Sequence, residues 1–336
     1  MKYFVVFLTL VGFTVNAPAQ WIKQSVSTTA SLRGLSVINE KIVWASGTGG
    51  TFLKTVNGGK TWKVGTVPGA EKFDFRDIEA FDASTAYVLS IGNGESSRIY
   101  KTIDGGETWK LQFTNKNEKA FFDAIACWDR NNCIAMSDPV DGHYLLISTP
   151  DGGDHWKQIV SNKMPAAKDG EAAFAASGTC LITQGENNAF LVSGGSDARV
   201  FRSQDRGRTW SVFDTFFAKG TAGSGIFSIA MLNKAEGVIV GGNYGKPDQA
   251  ENNLAFSYDE GRTWIMGTGL KGYRSSVEYL NKKTIIAVGT NGSDISRNGG
   301  KTWKNLDKEN YNSVQAKGVN AVWTVGAKGL VAKMKK

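Results

Sequence analysis

An eight-residue segment ending in Trp recurs six times along this chain and leaves few folds open to it. The copies read TVNGGKTW (55–62), TIDGGETW (102–109), TPDGGDHW (149–156), SQDRGRTW (203–210), SYDEGRTW (257–264) and SRNGGKTW (296–303). Each places Ser or Thr first, Asp or Asn third, Gly fifth and Trp eighth. The third positions are Asn57, Asp104, Asp151, Asp205, Asp259 and Asn298, and the eighth are Trp62, Trp109, Trp156, Trp210, Trp264 and Trp303. Successive tryptophans are 47, 47, 54, 54 and 39 residues apart, and self-similarity at such a period marks a solenoid or a propeller.

Between the copies the sequence alternates apolar and polar residues in short runs broken by Gly, Asn and Asp, the pattern of strands and turns. The second interval parses into four strands, at 75–81, 85–91, 98–101 and 108–113. Four antiparallel strands per repeat make a propeller blade. The same parse puts blades at 31–67, 73–113, 120–160, 171–214, 224–268 and 273–306. Three more strands follow the last copy, at 311–317, 321–325 and 330–334, and the stretch 21–24 resembles the outer strand that follows each octapeptide. The expected fold is therefore an all-β, seven-bladed propeller whose last blade is closed by strands from both termini, which hides the edges an open ring would expose.

Within the octapeptide, the Asx side chain is expected to accept backbone amides two residues on, the fifth-position Gly to supply a positive φ, and the hydroxyl to tie the far side of the turn. The Trp then starts an outer strand and wedges against the adjacent blade. A calcium loop needs more carboxylates than the one or two present here. No metal or cofactor is expected.

Residues 1–19 have the form of a signal peptide: Lys2, an apolar run over 4–15, then Ala17-Pro18-Ala19. Cleavage is expected after Ala19, leaving a secreted or periplasmic chain of 20–336. The apolar run is too short to span a bilayer, and none later approaches the roughly 20 residues required. The formal charge of +8 is carried by scattered Lys and Arg, which points to a solvated surface or to anionic envelope polymers rather than nucleic acid. Cys127 and Cys133 flank a polar turn; they either staple a hairpin or stay as free thiols. Cys180 has no partner in the sequence, and no metal-ligand spacing is present.

The octapeptides resemble the Asp-box, or BNR repeat, of sialidase-type propellers. With SLRGLSV (31–37), FRDIEAFDASTAYVLS (75–90), SDPVDG (137–142), GEAAFAAS (170–177), GVIVGGNYGKP (237–247) and VGTNGSDISRNGGKTW (288–303), the chain is similar over 21–334 to the exported bacterial BNR-propeller family related to photosystem II stability and assembly factors. The resemblance implies a propeller of the assembly-factor type, a binding protein, and a monomer is expected. Some members of that family carry the label oxidoreductase.

Aligning the start of the first strand in each blade places Arg33, Arg76 and Arg274 at equivalent positions, with Phe122, Glu171, Gly225 and Asn312 in the other blades. Three guanidinium groups converging on the axis would hold a carboxylate, sulfate or phosphate. Asp77, Asp123 and Glu171 stand near enough in sequence to pair with them, so the alternatives are an anion or partner funnel and a self-neutralising rim. The expected partner is an envelope protein segment or an anionic polymer. A sialidase-like glycosidase would cast Tyr273, Arg274 and Glu278 in its roles, but no Arg-Ile-Pro segment accompanies them. The run 137–143 puts Asp138, Asp141 and His143 in one turn-rich stretch, whereas His155 sits inside an octapeptide as a structural residue. The Gly-rich pieces 46–50 and 241–246 read as hairpin turns, the second opening an insertion through Asn253.

Overall fold

A computed structural model describes residues 20–335; the signal-peptide assignment lies outside the described residues. The six octapeptides close the third strand of six successive blades onto the fourth, and the ring has seven. The first blade pairs Leu32–Val37, Val43–Gly47, Thr51–Thr55 and Lys63–Thr66 in antiparallel order from the axis outward. The second runs Phe75–Ala80, Ala86–Ser90, Arg98–Thr102 and Lys110–Thr114, and the third Phe122–Cys127, Cys133–Val140, His143–Thr149 and Lys157–Gln158. The fourth to sixth blades start at Leu181–Gln184, Ser224–Met231 and Ser276–Tyr279. In the seventh, Tyr311–Ala316, Val322–Gly326 and Val331–Met334 take Trp21–Lys23 as the outer strand, with Trp21 opposite Met334. Apolar clusters fill the spaces between blades rather than a single central core; one joins Trp44 and Phe52 of the first blade to Ile78 and Val88 of the second.

Each octapeptide is a turn wired by its own side chains. The first-position hydroxyl donates to the Asx Oδ1, at 2.8 Å from Thr102 to Asp104, and accepts the amide of the fifth-position Gly, at 2.8 Å from Gly106. The Asx Oδ1 accepts the amide of the seventh residue: Thr61, Thr108, His155, Thr209, Thr263 and Thr302 in the six copies. The bond thus spans four residues, not the expected two, because the two glycine-region residues between them coil the backbone back under the side chain. His155 keeps this wiring, its Nδ1 lying 2.7 Å from Asp151 Oδ2.

Packing demands the fifth-position Gly as strongly as its backbone does. At Gly106 (φ 78°) and Gly300 (φ 86°) a Cβ would come within 2.6 Å of Phe52 and 2.1 Å of Phe256, side chains of the preceding blade. The neighbouring Trp packs the same way. Trp109 meets Phe52 at 5.1 Å between ring centres, and Trp62 meets Trp323 of the seventh blade edge-on at 5.6 Å. Basic side chains add a bond across the same seam, as where Lys54 Nζ donates to Gly105 O at 2.9 Å and Lys101 Nζ to Gly152 O at 2.6 Å. The motif is an outer fastener between blades.

Cys127 and Cys133 face each other at the end of a strand pair and are joined by a disulfide, while Cys180 is free and buried. The expected fourth blade is displaced. Glu171–Ala172 is not its inner strand but pairs with Gly194–Gly195, which in turn adds to Ser224–Met231 of the fifth blade. The inner strand is Leu181–Gln184, ten residues further on. The segment before it is free to do something else.

Candidate functional site

Near the start of most inner strands the pairing skips a residue. Leu32 and Gly34 pair with Gly47 and Ser46, which leaves Arg33 unpaired in a bulge; Arg76, Asp123, Phe227 and Asn312 are left out in the same way in their blades. A bulge re-aims its side chain, and here each is turned toward the axis. In the sixth blade the pairing begins at Ser276 with Val288, so the equivalent residue is Ser275. These six side chains line one axial cavity of about 480 Å3.

The displaced segment before the fourth blade crosses this cavity as a strap. Ala173 N donates to Asp138 Oδ1 of the third blade at 2.7 Å. Arg76 Nη1 donates to Ala175 O at 3.2 Å and Arg33 Nη1 to Ala176 O at 3.1 Å. Ser177 Oγ donates to Ser275 O of the sixth blade at 2.9 Å. Four blades therefore hold five consecutive residues. Phe174 of the strap stacks on Phe227, 3.9 Å apart and 3° from parallel, and Tyr273 meets Phe227 edge-on at 4.7 Å. Tyr244, from the 241–253 insertion, completes the aromatic wall.

Charge is unevenly placed around the cavity. Arg76 Nε donates to Asp74 Oδ2 at 2.8 Å. Arg33 forms no ion pair with any described residue, its one hydrogen bond being that to the strap; burial, then the neighbouring Arg76, push its guanidinium down from the ordinary value. In the next blade stand Asp123 and Asp138. Burial raises Asp123 well above the usual carboxylate range, with the Asp138 charge adding to it, and burial takes Asp138 up to about 6.

Three sequence expectations are corrected. Arg274 does not reach the axis: it is one residue before the bulge position, so its side chain turns between strands, where Nε and Nη2 donate to Asp294 Oδ2 at 2.9 and 2.5 Å and Nη1 donates to Asn291 Oδ1 at 2.6 Å. Glu171 lies in the approach to the strap and forms an ion pair with Arg199, both buried. Asp77 points at the next blade, accepting Ile125 N on Oδ2 and Ile78 N on Oδ1, both at 2.8 Å. Of the expected set, Arg33, Arg76 and Asp123 come together. Asp138, Phe174, Phe227, Tyr244 and Ser275 join them without having been singled out for this position. Tyr273 is buried against Phe227 and Arg274 faces away, so the glycosidase trio does not converge. His143 stays at the strand end, its Nδ1 3.4 Å from Asp141 O.

Buried carboxyl groups continue down the inner strands. Burial lifts Glu278 to about 7, against about 4.3 in an unfolded chain. The folded protein then holds that proton more tightly, so Glu278 supports folding fully below about pH 4 and that support is lost as pH rises toward 7. Denaturant midpoints are expected to fall across this window in the wild type and to fall less steeply in Glu278→Gln; equal slopes would remove Glu278 as the cause.

Among the described residues, no group of three or more His, Cys, Asp or Glu side chains is placed to hold a metal ion, and no helix is long and apolar enough to cross a membrane. No family model matches the chain, and no curated protein matches it. Solved structures do. One described as YCF48 bound to D1 peptide superposes with a TM-score of 0.70 at 17% identity, covering 95% of this chain and 97% of that one. YCF48 from Cyanidioschyzon merolae gives 0.68 at 18% identity, covering 94% and 98%. U3-55K gives 0.66 at 12% identity, covering 94% and 98%. Identities this low establish the shared seven-bladed fold alone.

Proposed function

We propose that this chain is an exported, non-catalytic propeller that holds a segment of a partner protein at its axial cavity, as an assembly or binding module. One observation carries the reading: Arg33 presents a guanidinium with no ion-pair partner into a cavity walled by Phe174, Phe227, Tyr244 and Tyr273. Desolvating a cation that no carboxylate contacts directly is costly, and an arriving carboxylate would supply that contact, beyond the more distant charge of Asp74, while an apolar side chain beside it lies on the aromatic wall. Arg76, already paired with Asp74, adds a second donor. A propeller of the same fold is described with a D1 peptide bound, which supports a protein segment as the occupant.

The features of residues 1–19 direct the search for that partner to the envelope. In affinity capture from the envelope fraction, the Arg33→Gln/Arg76→Gln variant is expected to recover a specific partner at least about tenfold less well than the wild type, as loss of charge-assisted bonds implies. Equal recovery of every protein overturns the reading.

A further inference from the structure

We propose that the axial cavity carries both signs of charge, and that in the blade next to its arginines the Asp123–Asp138 pair receives a basic side chain, so that the preferred occupant is a segment carrying an acidic and a basic residue together. This rests on the peptide-binding reading above and specifies its ligand.

Asp123 is 1% exposed and lines the cavity, and among the described residues no donor stands in hydrogen-bonding geometry to its Oδ2. A buried carboxylate oxygen left bare is unusual, since buried polar atoms are nearly always satisfied, and it occurs here on the one inner-strand bulge that carries an acid. Asp138 borders the same space. Its Oδ1 is spent on the strap amide of Ala173, which fixes the side chain with its charge beside Asp123. Asp138 reaches the cavity because Ser137 and Pro139 bracket a second irregularity in the strand pairing. Two chain irregularities in one blade thus bring two carboxyl groups to one wall.

Among the described residues neither carboxyl group has an ion-pair partner; Arg76 acts on Asp123 only through its field. The groups felt by Asp123 are Asp138, which opposes its ionisation, and Arg76 with the amides of Asp138 and Ala175, which favour it. Burial first, and these carboxylates in addition, push up the Cys180 thiol and the Tyr144 phenol on the elements packed behind. Arg76 is held by Asp74 through Nε and by the strap through Nη1, and among the described residues no bond joins it to Asp123. A guanidinium or ammonium entering the cavity would meet Oδ2 as a free acceptor, and the pair would release bound protons as it does so. The hydrogen-bonding capacity of the cavity is therefore split, with unspent donors on Arg33 and an unspent acceptor on Asp123, and Phe174, Phe227 and Tyr273 lining the same space.

Peptide display selected on the full mature chain tests this. Wild type is expected to enrich clones that carry Asp or Glu together with Lys or Arg around an apolar residue. Asp123→Asn, which keeps the side-chain shape, is expected to lose the basic preference and retain the acidic one. Arg33→Gln is expected to do the reverse. A synthetic peptide from the leading wild-type clone should bind Asp123→Asn about tenfold more weakly. Its binding to wild type should release protons, seen in titration calorimetry as a heat that changes with the buffer, and binding to the variant should release fewer. Enrichment of acidic residues without basic ones overturns the two-charge inference and leaves the peptide-binding function standing. Enrichment of neither overturns both. Unchanged melting of Asp123→Asn ensures that a lost preference reports on the site.

Discussion

Arg274→Ala is expected to lower the melting temperature by on the order of 10 °C, because it strands Asp294 without its cation in the interior. Both side chains are fully buried, and the carboxylate Oδ2 collects Arg274 Nε, Arg274 Nη2 and the amide of Lys271. Removing one partner of such a pair costs about 3–5 kcal/mol, whereas replacing both by apolar groups of similar size costs far less. Arg274→Met with Asp294→Leu should therefore recover much of the loss. Partner capture at a temperature where Arg274→Ala is still folded should match the wild type. Arg33→Gln should show the opposite pair of results, with melting near wild type and capture lost. If Arg274→Ala melts normally and fails to capture a partner, the assignment of Arg274 to the interior is wrong.

The blades and their number could be read because the octapeptide repeats with a fixed wiring, and because three strands at one end lacked a fourth that Trp21–Lys23 could supply. The axial set required single-residue register, and a slip of one turns a side chain to another face. The inner strands differ at their starts, where bulges and the strap intervene, so aligning starts chose Arg274 over Ser275 and Phe122 over Asp123.

Their ends are regular. Asn39, Asp82, Asp129, Asn233 and Asn281 each accept the amides two and three residues on, capping the hairpin that leaves the inner strand. Counting back six residues from each of these gives Arg33, Arg76, Asp123, Phe227 and Ser275. That second Asx repeat carried the register. The strap carried no comparable signal: 173–177 reads as a β-blade entry, and only the ring closing around it shows that its carbonyls occupy Arg33 and Arg76.

A chain shortened to begin at Ser25 is expected to lose cooperative unfolding and to associate through its exposed edge. The outer strand Trp21–Lys23 covers Val331–Met334, with Gln24 N bonded to Val331 O and Lys335 N to Gln20 O, each at 2.8 Å. Trp21 also reaches sideways: its Nε1 donates to Ser293 Oγ of the sixth blade at 3.0 Å, and its ring lies 5.8 Å from Tyr311. Loss of a buried Trp alone costs about 3–5 kcal/mol, and the uncovered strand becomes a template for pairing with another copy. Trp21→Ala, which keeps the strand, should lower stability without association, and comparing the two by light scattering and thermal melts separates burial from edge closure. Monomeric, cooperative behaviour of the shortened chain would show that the ring does not depend on this strand. The same contacts bear on processing. Cleavage after Ala19, as proposed from the sequence, leaves the whole closing strand in place, whereas cleavage a few residues later would remove it and open the ring.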